Sequence, residues 1–193
     1  VSIDTSKAAV ARAAVEAGAV IVNDVSGFHH DPDMVRVVAD TGAGAVLMHM
    51  RGTPRTMQQQ TDYENLFGEL IAYFERTLAD AESAGVPRER LVIDPGIGFS
   101  KTAEQNVDLL ADLQRFRVLR RPILIGPSRK SFIGKLLDEP NPDNRDWGTA
   151  AAVACGILLG ADIVRVHNVA ALRQTAAVAA AIRNARNTPA TPP

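Results

Sequence analysis

The chain has 193 residues, 46% hydrophobic and 22% charged, with 21 Lys and Arg against 22 Asp and Glu. A formal net charge of -1 gives no case for a nucleic-acid or membrane-surface partner, so any basic patch must be local. No apolar run approaches the roughly 20 residues that span a bilayer. The first residues do not read as a signal peptide. The single cysteine, Cys155, excludes an internal disulfide, and its helical setting predicts a buried, inert thiol. These features lead to the expectation of a cytoplasmic α/β protein with one sizeable core.

Val1 opens directly inside an apolar run read as a strand over 1–4 and tipped by Asp4. A strand at a bare terminus leads to the expectation of missing upstream sequence. A helix is predicted over 6–17, capped by Thr5 or Ser6 and ended by Gly18. The next strand, 20–25, carries Asn23 and Asp24 and leads into Ser26-Gly27-Phe28-His29-His30. Asp31 as N-cap, with Pro32 at the first helical position, starts a helix that Gly42 stops. The strand 45–50 carries His49 and enters a polar loop, 51–61. That loop is longer than an ordinary βα connection, which makes it a candidate for substrate contact. Leu66, Leu70, Phe74 and Leu78 stripe a helix over 63–84, broken by Gly85-Val86-Pro87. The strand 91–94 ends in Asp94 and is followed by Pro95-Gly96-Ile97-Gly98-Phe99. A helix over 104–116 precedes the strand 122–126, and a second charged loop covers 138–146. The Ala-rich helix 147–159 carries few charges and is expected to pack on the sheet, with Gly160 as its stop. The last strand covers 162–169 and the last helix 170–185. A domain over 1–186 is expected to end in a disordered tail, 187–193, with three prolines and no apolar anchor.

Short Val/Ile/Leu runs alternating with helices imply a parallel sheet buried on both faces. In such repeats the functional groups sit at the C-terminal ends of the strands. One rim would then carry Asp4, Asn23, Asp24, His49, Asp94, Ser128, Lys130, Arg165 and His167. No Gly-x-Gly-x-x-Gly opens a helix after a strand, so a Rossmann site is not supported. Polar tips on all six strands favour a barrel over an open sheet. Asp4 and Asp94 could accept N–H bonds from a nitrogen heterocycle, or each could cap its following helix. Asn23 offers a donor and an acceptor to an amide-like ring edge, or it forms a turn. Ser128, Lys130, Arg165 and His167 together read as a phosphate or pyrophosphate site, and each alone as a surface group. His49 reads better as a structural histidine beneath its loop. No cluster has zinc spacing, and Ser128 lacks the setting of an acyl-transfer nucleophile.

The segments Ser2-Ile3-Asp4-Thr5, Val22-Asn23-Asp24-Val25-Ser26-Gly27 and Met48-His49-Met50-Arg51-Gly52-Thr53-Pro54, in order, resemble those of the dihydropteroate synthases, pterin-binding enzymes that sulfonamides inhibit. So do Asp94-Pro95-Gly96-Ile97-Gly98-Phe99, Gly126-Pro127-Ser128-Arg129-Lys130-Ser131-Phe132-Ile133-Gly134, Arg145-Asp146-Trp147-Gly148-Thr149-Ala150 and Val164-Arg165-Val166-His167. The resemblance implies a TIM (β/α)8 barrel, present here as about six of eight βα units. It implies the condensation of p-aminobenzoate with 6-hydroxymethyl-7,8-dihydropterin pyrophosphate to dihydropteroate and pyrophosphate. It further implies that Asp4, Asn23, Asp94 and Lys130 bind the pterin, and that Phe99, Ser128 and Lys130 bind the aminobenzoate. Arg165 and His167 would hold the pyrophosphate, and Asp4, Asp94 and Lys130 would carry the catalysis. A homodimer and Mg²⁺ are implied as well, with the family's Mg-binding Asn falling upstream of Val1 and no metal ligand in this segment. Asn168, where the family usually has Asp, and Pro127 depart from its pattern. The alternatives are a pterin-binding methyltransferase domain, which has no need of the anion cluster, and a pterin-binding segment that does not turn over. The expectation is a catalytic parent enzyme and an inactive isolated segment.

Overall fold

The computed structural model describes residues 1–187. The segments read as strands pair in parallel and in chain order. β1 (Ser2–Asp4), β2 (Ile21–Asp24), β3 (Gly44–Met48) and β4 (Leu91–Asp94) form one sheet in the order β1-β2-β3-β4. The register sets Asp4 beside Asn23 and Met48 beside Asp94, so consecutive C-terminal tips are neighbours. β5 (Leu124–Ile125) and β6 (Ile163–Val164) pair in parallel. A bridge between Ile93 and Ile123 joins β5 to β4, with the Ile93 N–H donating to Pro122 O at 3.1 Å. Among the described residues β1 and β6 each pair on one side only. The sheet curls strongly, because Arg165 just beyond β6 donates to the Asn23 side chain on β2, 142 residues away in the chain. A cavity of about 450 Å³ lies inside that curl, lined by Ile21, Val46, Val92, Leu124 and Val164 among others.

The helices cover the outer face: α1 (Ala8–Glu16), α2 (Met34–Thr41), α3 (Leu66–Ser83), α4 (Ala103–Ala111), α5 (Ser131–Leu137), α6 (Asp146–Leu159) and α7 (Val169–Asn187). The predicted stripe of α3 holds, since Leu70, Phe74 and Leu78 are fully buried and Phe74 meets Phe116 edge-on. Asn65 caps α3 by accepting the Gly68 N–H at 3.0 Å. Thr102 and Gln105 form a capping box on α4.

Several boundaries depart from expectation for physical reasons. Asp31 does not cap its own helix. One carboxylate oxygen accepts the Ala8 N–H at 2.8 Å at the start of α1 across the fold, and the other accepts the Asp33 N–H at 3.1 Å in its own turn, while α2 begins only at Met34. The helix expected over 104–116 stops at Ala111, and the chain tightens into a 3₁₀ run from Leu113 to Leu119. Leu113, Phe116 and Leu119, each three apart, are all buried there. That is the spacing a three-residue turn stacks on one face. α5 is the helical segment expected after the fifth apolar run, here confined to Ser131–Leu137. The last strand is confined to Ile163–Val164 rather than 162–169. Cys155 is exposed rather than buried. α6 packs through Thr149, Val153, Gly156 and Ile157, leaving Trp147 at its start 89% exposed. α7 runs to Asn187, and the tail expected over 187–193 otherwise lies outside the described residues.

Candidate active site

β4 delivers Asp94 to the rim because Leu91 and Ile93, on the same strand, are fully buried in the core. Its carboxylate accepts the Gly96 N–H at 2.8 Å, so it closes its own turn. Burial pushes the Asp94 carboxyl upward. The Gly96 bond, and then the charges of Arg165, Lys101 and Lys130, act in the opposite direction. The loop passes through positive φ at Gly96 (74°), Gly98 (83°) and Ser100 (47°). A Cβ on Gly96 would sit 2.1 Å from the His49 carbonyl oxygen. Gly96→Ala is therefore expected to cost about 2 kcal/mol or more, from backbone strain plus a clash with main chain. That corresponds to a melting point lower by roughly 4–8 °C in a domain of this size. Thermal denaturation followed by circular dichroism checks it, and an unchanged midpoint contradicts the geometry.

A Cβ on Gly98 would lie 2.8 Å from Lys130 Cδ, so the glycine leaves room for the Lys130 stem to cross the loop. Lys130 Nζ lies 3.9 Å from the Phe99 ring centroid, within cation–π range. Burial lowers the Lys130 pKa, with Asp94 pulling it back. Ser128 Oγ hydrogen bonds to His167 Nδ1 at 2.8 Å and accepts the His167 backbone N–H at 3.1 Å. One hydroxyl thus fixes the imidazole ring and its backbone together. At the open side of the rim, Asn23 Nδ2 donates to Asp4 Oδ2 at 3.1 Å, and Arg165 Nη2 donates to Asn23 Oδ1.

A cavity of about 320 Å³ joins six of the predicted groups: Asp94, Phe99, Ser128, Lys130, Arg165 and His167. Met48, Ile97 and Val166 supply apolar walls. Asp4 and Asn23 do not line it, but the hydrogen-bonded chain through Arg165 connects them to it. Asp24, expected on the rim, is buried and committed to its own loop. It accepts from Ser26 N (2.8 Å), Ser26 Oγ (2.7 Å) and Phe28 N (3.0 Å). The long loop 51–61 reaches the site through Gln58, which donates to Gly98 O at 3.1 Å.

His49 is buried, and its pKa is lowered to about 3 by burial, then by Lys101 and Arg51. It is a neutral structural ring beneath the site. Two groups escaped the reading of the sequence. Lys101 is buried against His49, although a loop lysine carries no signal of burial. Arg129, with φ of 58°, pairs with Asp146 (Nε–Oδ1 2.9 Å) and Asp143, while Arg145 donates to Arg129 O at 3.0 Å. This brace holds the turn that presents Ser128 and Lys130. Asn168 belongs to it, donating to Asp146 Oδ2 at 2.9 Å. An Asp at 168 would set two carboxylates against each other there. Among the described residues no three His, Cys, Asp or Glu side chains converge as a metal site.

The site thus offers buried acceptors at Asp94, a cation over an aromatic face, and an Arg/His pair at one end, with the Asn23 amide behind Arg165. Such a pocket can hold a flat, nitrogen-rich ring beside an anion.

The chain is 51% identical over 182 residues to the dihydropteroate synthase of Synechocystis, covering 94% of this chain and 63% of that protein. It thus spans less than two thirds of that relative. The Yersinia pestis dihydropteroate synthase, solved as a sulfonamide drug complex, superposes with a TM-score of 0.91 at 36% identity, covering 95% of this chain and 66% of that one. The Xanthomonas albilineans enzyme, solved in complex with 7,8-dihydropteroate, gives a TM-score of 0.86 at 38% identity, covering 97% and 67%. The parallel α/β architecture described above is thus an incomplete TIM barrel of the same type. The model for pterin binding enzymes matches residues 1–167, and the chain belongs to that family.

Proposed function

We propose that this chain is the substrate-binding part of a dihydropteroate synthase, a transferase of folate biosynthesis. The observation that carries the proposal is the convergence of Asp94, Lys130 over Phe99, and the Ser128–His167 pair with Arg165 on one cavity. A pterin-dependent methyltransferase would have no use for that cluster of cations. Ionised Asp94 accepts N–H bonds from the pterin edge, and Asn23 meets the amide-like face. Lys130 and Phe99 lie between pterin and aminobenzoate, with Ser128 at the aminobenzoate end. Arg165 and His167 offset charge as the C–O bond to pyrophosphate breaks. That step is largely dissociative, and the cation left on the pterin methylene is stabilised by Asp94 and Asp4. The aminobenzoate nitrogen then attacks the methylene carbon and loses its proton, so no protein nucleophile is required. The family resemblance implies Mg²⁺, but the described residues do not form a cage for it, and no step here runs through a metal.

Turnover is assigned to a closed barrel, since among the described residues β1 and β6 each pair on one side only. The chain is read as cytoplasmic on its composition and single thiol, and as a homodimer. Support for the dimer comes from an apolar groove of about 540 Å³ on α4, α5 and α6, lined in part by the exposed Leu136 and Leu137.

Pterin fluorescence tests the binding half of the proposal directly. Titrating 6-hydroxymethylpterin into the 193-residue chain is expected to give saturable quenching, lost in the presence of excess dihydropteroate. Non-saturating quenching would contradict the assignment.

A further inference from the structure

Lys101 is 3% exposed. Its Nζ lies 3.2 Å from His49 Nδ1 and donates to Phe99 O at 2.9 Å. Both partners are neutral, since His49 is held in its uncharged form by burial. Its ring is clamped edge-on by Tyr73 at 4.8 Å. Two neutral acceptors engage two of the ammonium's three donors but do not offset its charge, and a buried unpaired charge is costly. The Nζ is packed under the site loop, 3.4 Å from where a Cβ on Gly96 would stand. The anion in its field is Asp94, buried and bonded to the same glycine's N–H.

The other charges facing Asp94 are Arg165 and Lys130, and the other cation facing Lys101 is Arg51. Arg165 is exposed at the rim and Lys130 only half-buried, so water and salt screen both more than Lys101.

We propose that Lys101 is a positioning residue, a buried counter-charge beneath the pocket that keeps Asp94 ionised and able to accept N–H bonds from the pterin. This role rests on the pterin reading of the site. Lys101 does not line the cavity that Asp94 lines and acts through Asp94. Its pKa, lowered to about 7 mainly by burial, agrees with a charge that is expensive to keep.

The experiment is a ¹³C titration of the Asp94 carboxyl in the 193-residue chain, assigned by its loss in Asp94→Asn. It is run on the wild type, Lys101→Met and Lys101→Gln. Both variants remove the charge, and Gln retains a donor for Phe99 O. The midpoint of Asp94 is expected to rise by about one pH unit or more in both, a tenfold change in its proton affinity. An unmoved midpoint in a folded variant overturns the proposal and leaves Lys101 a purely structural tie. If neither variant folds, the wild type still decides. Its Asp94 resonance is expected to show a second step, above the carboxyl's own midpoint, at the pH where Lys101 loses its proton, and an Asp94 resonance that does not respond to the Lys101 titration overturns the idea. Pterin titrations across pH separate the two readings. A wild type that binds no pterin at any pH sinks the pterin assignment, while the carboxyl titration still judges Lys101.

Discussion

Asp94→Asn is expected to weaken pterin binding by about 100-fold while leaving the fold in place. Asn keeps the size of the side chain and an oxygen that can accept the Gly96 N–H at 2.8 Å, so the turn survives. It replaces one of two acceptor oxygens by a donor, which would face the pterin's own N–H groups. A hydrogen bond to a charged acceptor contributes roughly 1.5–3 kcal/mol, and the donor–donor contact adds an unsatisfied buried group. The loss is measured by calorimetry at neutral pH, with the melting curve as a control. An affinity within threefold of wild type would remove Asp94 from the pterin site. Asp94 is pushed upward by burial, so wild-type pterin affinity is expected to fall as the pH is lowered and the carboxyl takes up a proton. Asp94→Asn is expected to lack that limb.

Arg165→Met is expected to discriminate between ligands. Arg165 stands at two interfaces at once, on the cavity it lines with His167 and against Asn23 Oδ1. Affinity for the dihydropterin pyrophosphate is expected to drop about 100-fold, as charge-assisted bonds to phosphate are lost. Affinity for 6-hydroxymethylpterin is expected to fall only several-fold, through the loosened Asn23. Parallel calorimetric titrations of the two ligands check this. Equal losses would place Arg165 on the pterin side alone and leave the anion site without its main cation.

The tips of the strands were legible because parallel strands share one C-terminal rim, and the register then needs no long-range information. Asp94, Ser128, Lys130, Arg165 and His167 follow from that rule, and Phe99 follows from the family motif. The hydrophobic stripe of α3 was legible for the same local reason. What escaped depends on packing between distant segments. Lys101 reads as a solvated loop lysine until His49, fifty-two positions earlier, is brought against it. Asp31 has the spacing of a cap for α2, yet its carboxylate is shared between the Asp33 N–H and the distant Ala8 N–H, and α2 begins only at Met34. Asp24 sits at a strand tip like Asp94, but Ser26 and Phe28 take up its oxygens within the loop. Cys155 lies on a helix so rich in alanine that no polar face announces which side meets solvent, and it falls on the open groove with Leu136 and Leu137.

We propose that this rim performs the condensation once the barrel is closed. The direct measurement joins this chain to the part of the Synechocystis relative that it does not match. Dihydropteroate and pyrophosphate are then quantified from dihydropterin pyrophosphate and p-aminobenzoate. Equal amounts of both products are expected from the joined chain, none from the 193-residue chain alone, and none above background from the joined Asp94→Asn variant. A joined, folded chain that binds both substrates and forms no dihydropteroate would contradict it, as would undiminished turnover by Asp94→Asn.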